Sequence, residues 1–216
     1  MKLSLPMEQL AAYVDRQLVH FFPDGKENTL PYLPRTLERL EYCFSRVRNK
    51  YFRDGAQITF SHLHSDQYAM FLYFLSNTVW RSDGNADLAS KIYGLNKALH
   101  ALDLFYEVAL PSIFLLSHPT GTVLGHGQYA DYFVVYQNCT IGSSLEGEHP
   151  RIGEGVVMFG GSMVIGRSHI QSNTWIAAGT LVMDREMKGD QVVFGRHPFV
   201  GSEPTIRKVK EWYFTA

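Results

Sequence analysis

The sequence predicts an N-terminal α-helical domain followed by a left-handed parallel β-helix. Three observations predict it: a six-residue beat near the C-terminal end, helical periodicity in the first half, and a change of composition between them. Ile152, Met158, Val164, Ile170, Ile176 and Val182 recur six apart without a gap. Two residues before each of the last five stands a small or β-branched residue: Val156, Ser162, Ser168, Thr174 and Thr180. A 3.6-residue helix drifts out of phase with a beat of six. Period-two alternation does not explain why only every third inward position is picked out. A hexapeptide repeat is the signature of a triangular coil in which each short strand forms one side. The aliphatic residue fills the prism and the small residue lets the corner close. A β-sandwich is the competing reading, but its turns recur every ~8–12 residues rather than at six.

Residues 1–105 read as helical. Met7, Leu10, Ala11, Val14 and Leu18 make one apolar stripe. Leu37, Leu40, Phe44, Val47 and Tyr51 make a second, with Pro34 suited to its first turn. Ser65 is placed to cap a third helix over 66–81, stopped by Ser82-Asp83-Gly84, and residues 87–102 give a fourth. From Ser112 onward Gly, Val, Ile and Thr dominate, so residues 106–216 are assigned to the coil and a C-terminal tail. Ile141 and Ile152 are eleven apart, which predicts that residues 143–150 are pushed out as a loop. Loops on a rigid scaffold commonly carry binding groups. After Val182 the beat fails at Lys188.

The chain has 216 residues and a net charge of −1, with no basic block, so it lacks the electrostatic footprint of a nucleic-acid binder. The apolar run 71–79 is too short to span a membrane and the N-terminus has no uninterrupted apolar core, so no signal peptide is expected. Cys43 and Cys139 are isolated, which suits a reduced, cytoplasmic chain. His62 and His64 form an H-x-H pair without a third ligand at zinc-like spacing, so no metal is expected.

The segment His118-Pro119-Thr120-Gly121-Thr122-Val123-Leu124-Gly125 resembles the D-H-A-T-G-I-V-V-G stretch of the serine acetyltransferases. Residues 134–142 are similar to that family's S-I-L-Q-x-V-T-L-G, and His149-Pro150-Arg151-Ile152 to its H-P-K-I. The resemblance spans about residues 65–200. It implies an acetyl-CoA-dependent O-acetyltransferase with His118 as catalytic base and Asp103, fifteen residues upstream, as its partner. The residues suit that chemistry. An imidazole near neutrality can take the proton of an attacking hydroxyl, and a carboxylate on the far ring nitrogen fixes the tautomer. The thioester is already activated, so no protein nucleophile is needed. Backbone N–H groups of a coil turn, or His149, are candidates for the oxyanion.

Two departures bear on the acceptor. The resemblance implies aspartate before the catalytic histidine and arginine before the loop histidine, which read the amino and carboxylate groups of serine. Here they are Ser117 and Glu148. A glutamate repels a carboxylate, so a sugar hydroxyl is carried beside L-serine as acceptor, in surface-glycan synthesis. Asp66 is the candidate for a third substrate contact from the helical half, and His126 is read as surface. For coenzyme A, the candidates are Gly160, Gly161, Ala177, Ala178 and Gly179 at corners, with Arg196 and Lys208 for its phosphates. The groove implied for the cofactor lies between neighbouring chains, so a homotrimer is expected, and the helical half is a candidate to join two trimers. The chain ends Trp212-Tyr213-Phe214-Thr215-Ala216, without the terminal isoleucine that docks family members on cysteine synthase, so no such complex is expected. A metal-dependent, carbonic-anhydrase-like coil and a non-catalytic trimeric scaffold are the competing readings.

Overall fold

Helix α3 (Ser65–Asp83) is the axis of the N-terminal half in the computed structural model, which describes residues 1–25 and 27–215. Every residue from Gln67 to Val79 is buried, so this helix is apolar all round rather than along one stripe. Around it pack α1 (Met7–Phe21), α2 (Leu33–Arg46) and α4 (Ala86–His100). The predicted stripes face it, with Leu10, Val14, Leu18, Leu40 and Phe44 fully buried. Pro34 stands in the first turn of α2 as expected. The cap of α3 is His64 rather than Ser65, its ring nitrogen accepting from the Gln67 amide at 3.5 Å. Gly84, at φ +72°, ends the helix in the left-handed conformation that glycine adopts without penalty.

Two parts of this half depart from the helical expectation. Helix α2 stops at Arg46, and Tyr51 lies in a separate 3-10 turn that Asn49 caps. A three-stranded sheet joins β1 (Lys2–Leu3), β2 (Arg53–Asp54) and β3 (Gln57–Phe60). Its signal was present in the alternation Gln57-Ile58-Thr59-Phe60 behind Gly55, which turns the hairpin at φ +61°.

From residue 114 the chain winds a left-handed parallel β-helix. Its first face stacks β4 (Phe114–Leu116), β7 (Phe133–Val135), β10 (Val157–Met158), β13 (Thr174–Ile176) and β16 (Gln191–Arg196). The second stacks β5 (Val123–Leu124), β8 (Thr140–Gly142), β11 (Met163–Ile165) and β14 (Leu181–Met183). The third stacks β6 (Gln128–Tyr129), β9 (Arg151–Ile152), β12 (His169–Ile170) and β15 (Glu186–Met187). The six residues of the beat fall two to a face and are 3% exposed or less, and their small companions are equally buried. The beat does not end at Val182. It takes one step of five to Met187 and then six to Val193, so the coil completes a further turn before the β16–β17 hairpin, β17 being Phe199–Pro204. Gly153 packs so tightly that a Cβ there would meet the backbone of Gln171 and Ser172 at 2.8 Å.

The predicted loop is where the spacing put it: β8 ends at Gly142, β9 begins at Arg151, and Leu145 at its tip is fully exposed. The tail does more than trail away. Residues 205–215 run back across the outside of the first face, where the short helix α5 (Val209–Tyr213) buries Val209, and Phe214 bridges Val47 of the helical half. Ala216, counted in the tail above, lies outside the described residues. Among the described residues, no helix is long and apolar enough to cross a membrane.

Candidate active site

The corner between the first and second faces carries His118. Its backbone is left-handed at φ +49°, a conformation that costs a non-glycine residue free energy and recurs at functional turns. The side chain is 78% exposed. The next turns of the same corner stack beneath it in a column. The Asn138 amide donates to Thr120 O at 2.9 Å, Gly161 to Gln137 O at 3.0 Å and Gly179 to Gly160 O at 3.1 Å. Rungs of parallel strands lie about 4.7–4.9 Å apart, so Ala177 is about 14 Å below His118. Along this column runs a groove of about 700 Å³ lined by Tyr136, Gln137, Phe159, Gly160, Trp175, Ala177, Ala178, Val192, Thr205 and Arg207. Tyr136 stacks on Phe159 (5.3 Å) and Phe159 on Trp175 (6.1 Å), which makes one wall an aromatic ladder.

The residues expected to hold a cofactor therefore divide. Gly160, Gly161, Ala177, Ala178 and Gly179 all belong to the His118 corner, and Arg196 reaches it by donating to Gly179 O at 3.4 Å. Lys208 does not. It sits at the corner between the third and first faces, tied to Asp190, whose carboxyl it holds below the usual range. Arg207, its neighbour, lines the groove instead. The sequence showed no sign of this, because only the returning tail brings Arg207 there.

The expected pairing of His118 with Asp103 is not formed. Asp103 sits one coil above Val123 at the head of the second face. Its carboxylate accepts from Tyr93 Oη at 2.6 Å and from Lys97 Nζ at 2.6 Å. Burial opposes its ionisation, but these two donors prevail and hold the carboxyl below the usual range. The carboxylate facing the His118 ring is Asp66, 3.9 Å from Nδ1 and only 14% exposed. Asp66 lies in the first turn of α3, where the helix dipole favours a negative charge. His100 lies close enough to feel that charge. Burial nevertheless holds its imidazole below the usual range, with Nδ1 against Asn96 Oδ1 at 2.8 Å. Ser117 shares the corner, its amide donating to Val135 O at 2.9 Å.

The loop residues are elsewhere. The loop leaves the second face and enters the third, so Glu148 and His149 occupy the next corner of the prism. There His149 approaches His126, ring centroids 6.0 Å apart, beside a hollow of about 540 Å³ that also touches Glu146, Glu148 and Arg151. The two groups of candidate residues thus lie on different corners of one chain. The H-x-H pair does other work: His62 Nδ1 meets Ser4 Oγ at 2.8 Å while His64 caps α3. Among the described residues, no three His, Cys, Asp or Glu side chains cluster to hold a metal.

No family model matches the sequence. Over 139 residues the chain is 30% identical to the protein named Probable serine acetyltransferase 1 from Oryza sativa subsp. japonica, covering 61% of this chain and 45% of that one. It is 25% identical over 146 residues to the serine acetyltransferase of Buchnera aphidicola, covering 65% and 53%. The chain spans about half the length of the curated relatives it matches. Among solved structures, serine acetyltransferase from Vibrio cholerae superposes with a TM-score of 0.66 at 21% identity, over 82% of this chain and 69% of that one. The chain has the serine acetyltransferase fold. A serine acetyltransferase solved in complex with CoA superposes with a TM-score of 0.57 at 13% identity, over 87% and 73%. The comparisons thus agree with the fold read from the hexads, and the helices ahead of the coil belong to the likeness.

Proposed function

We propose that the protein is an acetyl-CoA-dependent O-acetyltransferase in which His118 is the general base. The observation that carries this reading is an exposed imidazole, held in a left-handed turn at the head of a corner groove, with a half-buried carboxylate facing one of its nitrogens. Asp66 lies toward Nδ1, which leaves Nε2 for the acceptor. The acceptor O–H gives its proton to Nε2 as its oxygen attacks the thioester carbonyl carbon. Asp66 stabilises the imidazolium that forms, and a coil N–H or His149 meets the oxyanion. Collapse expels the CoA thiolate, which takes the proton back from His118. An acetyl ester and free CoA result. Neither cysteine competes as a nucleophile: both are buried, and burial pushes the Cys43 thiol up to about 12.

The thioester arm lies along the column from His118 to Gly179, against the aromatic ladder, with Arg196 and Arg207 placed for its phosphates. The resemblance to a serine acetyltransferase solved in complex with CoA supports CoA as the carrier of the acetyl group. A closed trimer completes the site. The His118 corner of one chain meets the His149 corner of the next, which explains why the two half-sites never meet within one chain. Glu148 then enters the acceptor pocket. Its charge favours a neutral hydroxyl compound such as a sugar over a free amino-acid carboxylate. An acceptor panel with acetyl-CoA, read by thiol release, tests the reading. Turnover of a sugar with serine poor supports it, efficient serine acetylation overturns the sugar assignment, and no turnover with any hydroxyl overturns the whole. Light scattering that reports a monomer would refute the trimer.

A further inference from the structure

At the far end of α3 the helical half gathers three arginines from two helices. Arg35 and Arg39 are four apart on α2 and so share a face, and Arg81 lies in the last turn of α3. With Thr78 and Ser82 they line a hollow of about 220 Å³. Arg39 is the unusual member. It is half-buried, its guanidinium lies over the Phe74 ring at 5.1 Å, and it donates to Thr78 Oγ1 and Asn77 Oδ1 at 2.7 Å each. Among the described residues, no carboxylate lies within 4 Å of Arg39 or Arg81, and the one acid at the rim, Glu38, is bound by Arg35 at 2.6 Å. Burial pulls the Arg39 pKa down and its two arginine neighbours add to that, so assembling the cluster has a cost.

The ordinary explanations cover only its edges. Arg81 complements the negative end of the α3 dipole, and Arg35 makes a surface pair with Glu38. Neither accounts for a half-buried, pre-oriented guanidinium without a carboxylate. Two of its five N–H groups are spent on neutral oxygens, and the others remain for a ligand in the fork geometry that matches tetrahedral oxyanions. The hollow also continues into a second one of about 400 Å³, walled by Tyr42, Phe74, Leu110 and Pro111. An aromatic and aliphatic annex suits an organic group attached to the anion. We infer that the helical half carries a separate binding site for a phosphate monoester, its phosphoryl group held by Arg35, Arg39 and Arg81 and its organic group resting on Tyr42 and Pro111. Asp66 and Arg81 are fifteen residues apart on one helix, so this site lies about 22 Å from His118.

Isothermal titration of the full chain with phenyl phosphate, at fixed ionic strength, tests this. Phenyl phosphate binds at least tenfold more tightly than inorganic phosphate, and Arg81→Gln, an exposed substitution, weakens it at least tenfold while the melting temperature falls by no more than about 4 °C, the loss of the helix-dipole contact. Arg39→Gln abolishes it; if that variant unfolds, Arg35→Gln replaces it. Undiminished binding by Arg81→Gln overturns the site. Equal affinity for inorganic phosphate overturns the monoester assignment. Arg81-dependent capture of anionic vesicles, with phenyl phosphate inert, overturns it in favour of a membrane contact. His118→Ala leaves phenyl phosphate binding intact, so failure of the acetyl-transfer reading and failure of this one are distinguishable.

Discussion

Asp66→Asn tests which carboxylate serves His118. At 3.9 Å the attraction between unit charges is about 1 kcal/mol in water and about 4 kcal/mol at an effective dielectric constant of 20. The imidazole is 78% exposed and the carboxylate 14%, so the free chain lies toward the lower figure, at about 1–2 kcal/mol. If that energy is expressed when the imidazolium forms, kcat falls roughly 5- to 30-fold. Loss of the base itself, in His118→Ala, costs about 10²- to 10⁴-fold. Asp66→Asn placed on His118→Ala then adds nothing, because the carboxylate acts only through the ring. Asp103→Asn removes an acceptor from Lys97 and Tyr93, groups that do not touch the ring, and turnover stays within about threefold. The assay is steady-state thiol release at saturating acetyl-CoA. A crippled Asp103→Asn beside an unaffected Asp66→Asn would return the orienting role to Asp103 and refute the assignment of Asp66.

Four more substitutions follow from packing and titration. Ile176→Ala empties a fully buried position between Met158 and Val193 on the first face, and should lower unfolding free energy by about 2–5 kcal/mol in urea titrations. Gly153→Ala drives a Cβ to 2.8 Å from the backbone of the next coil and should cost about 1–3 kcal/mol, more than Gly179→Ala, where the strain at φ +71° acts alone in open space. His100 is held neutral by burial, with Asp66 opposing and Asn96 and Tyr68 against its ring. Its folded pKa is below its unfolded value, so the unfolded chain binds more protons and stability falls as pH drops through about 6.5. His100→Gln should flatten the melting temperature between pH 7 and pH 5, and an unchanged slope would rule His100 out as the cause.

The coil was legible because its chemistry repeats. Each of Ile152, Met158, Val164, Ile170, Ile176 and Val182 meets the same interior, so one rule shows six times. Met187 escaped that rule through a one-residue shortening of a corner, where Asp184 turns at φ +50° and its side chain accepts from the Arg167 amide. The strands β1 and β2 are only two residues long and leave no period to read, and the four-residue alternation of β3 is too short to stand out beside the helical stripes. At the candidate site, local motifs singled out His118 and the glycines that the structure gathers on one corner. The approach of Asp66 to His118 was not legible, since the packing of α3 against β4 sets that contact over 52 residues of sequence. The arginine cluster was invisible for the same reason: positions 35, 39 and 81 form no run.

The C-terminal strap ties these facts to the stability of the whole chain. Outward side chains of a β-helix normally meet water, yet Leu115, Val134, Val157 and Trp175 on the first face are at most 6% exposed. The helical half and the returning tail provide the cover. The tail is fastened at its end: Arg48 N donates to Tyr213 O at 2.8 Å and Thr215 N to Arg46 O at 2.7 Å, while Phe214, 3% exposed, packs on Tyr132 at 5.2 Å. Coil and helices therefore share one buried surface and should unfold together. Phe214→Ala removes an anchor worth about 3–5 kcal/mol and leaves the backbone bonds to hold the tail. Calorimetry should show one transition for the natural chain. In the variant the midpoint should fall, with the coil melting apart from the helices, because a hydrogen-bonded stack can persist after its cover lifts. A single transition at the original midpoint would mean that the two halves hold each other without the strap.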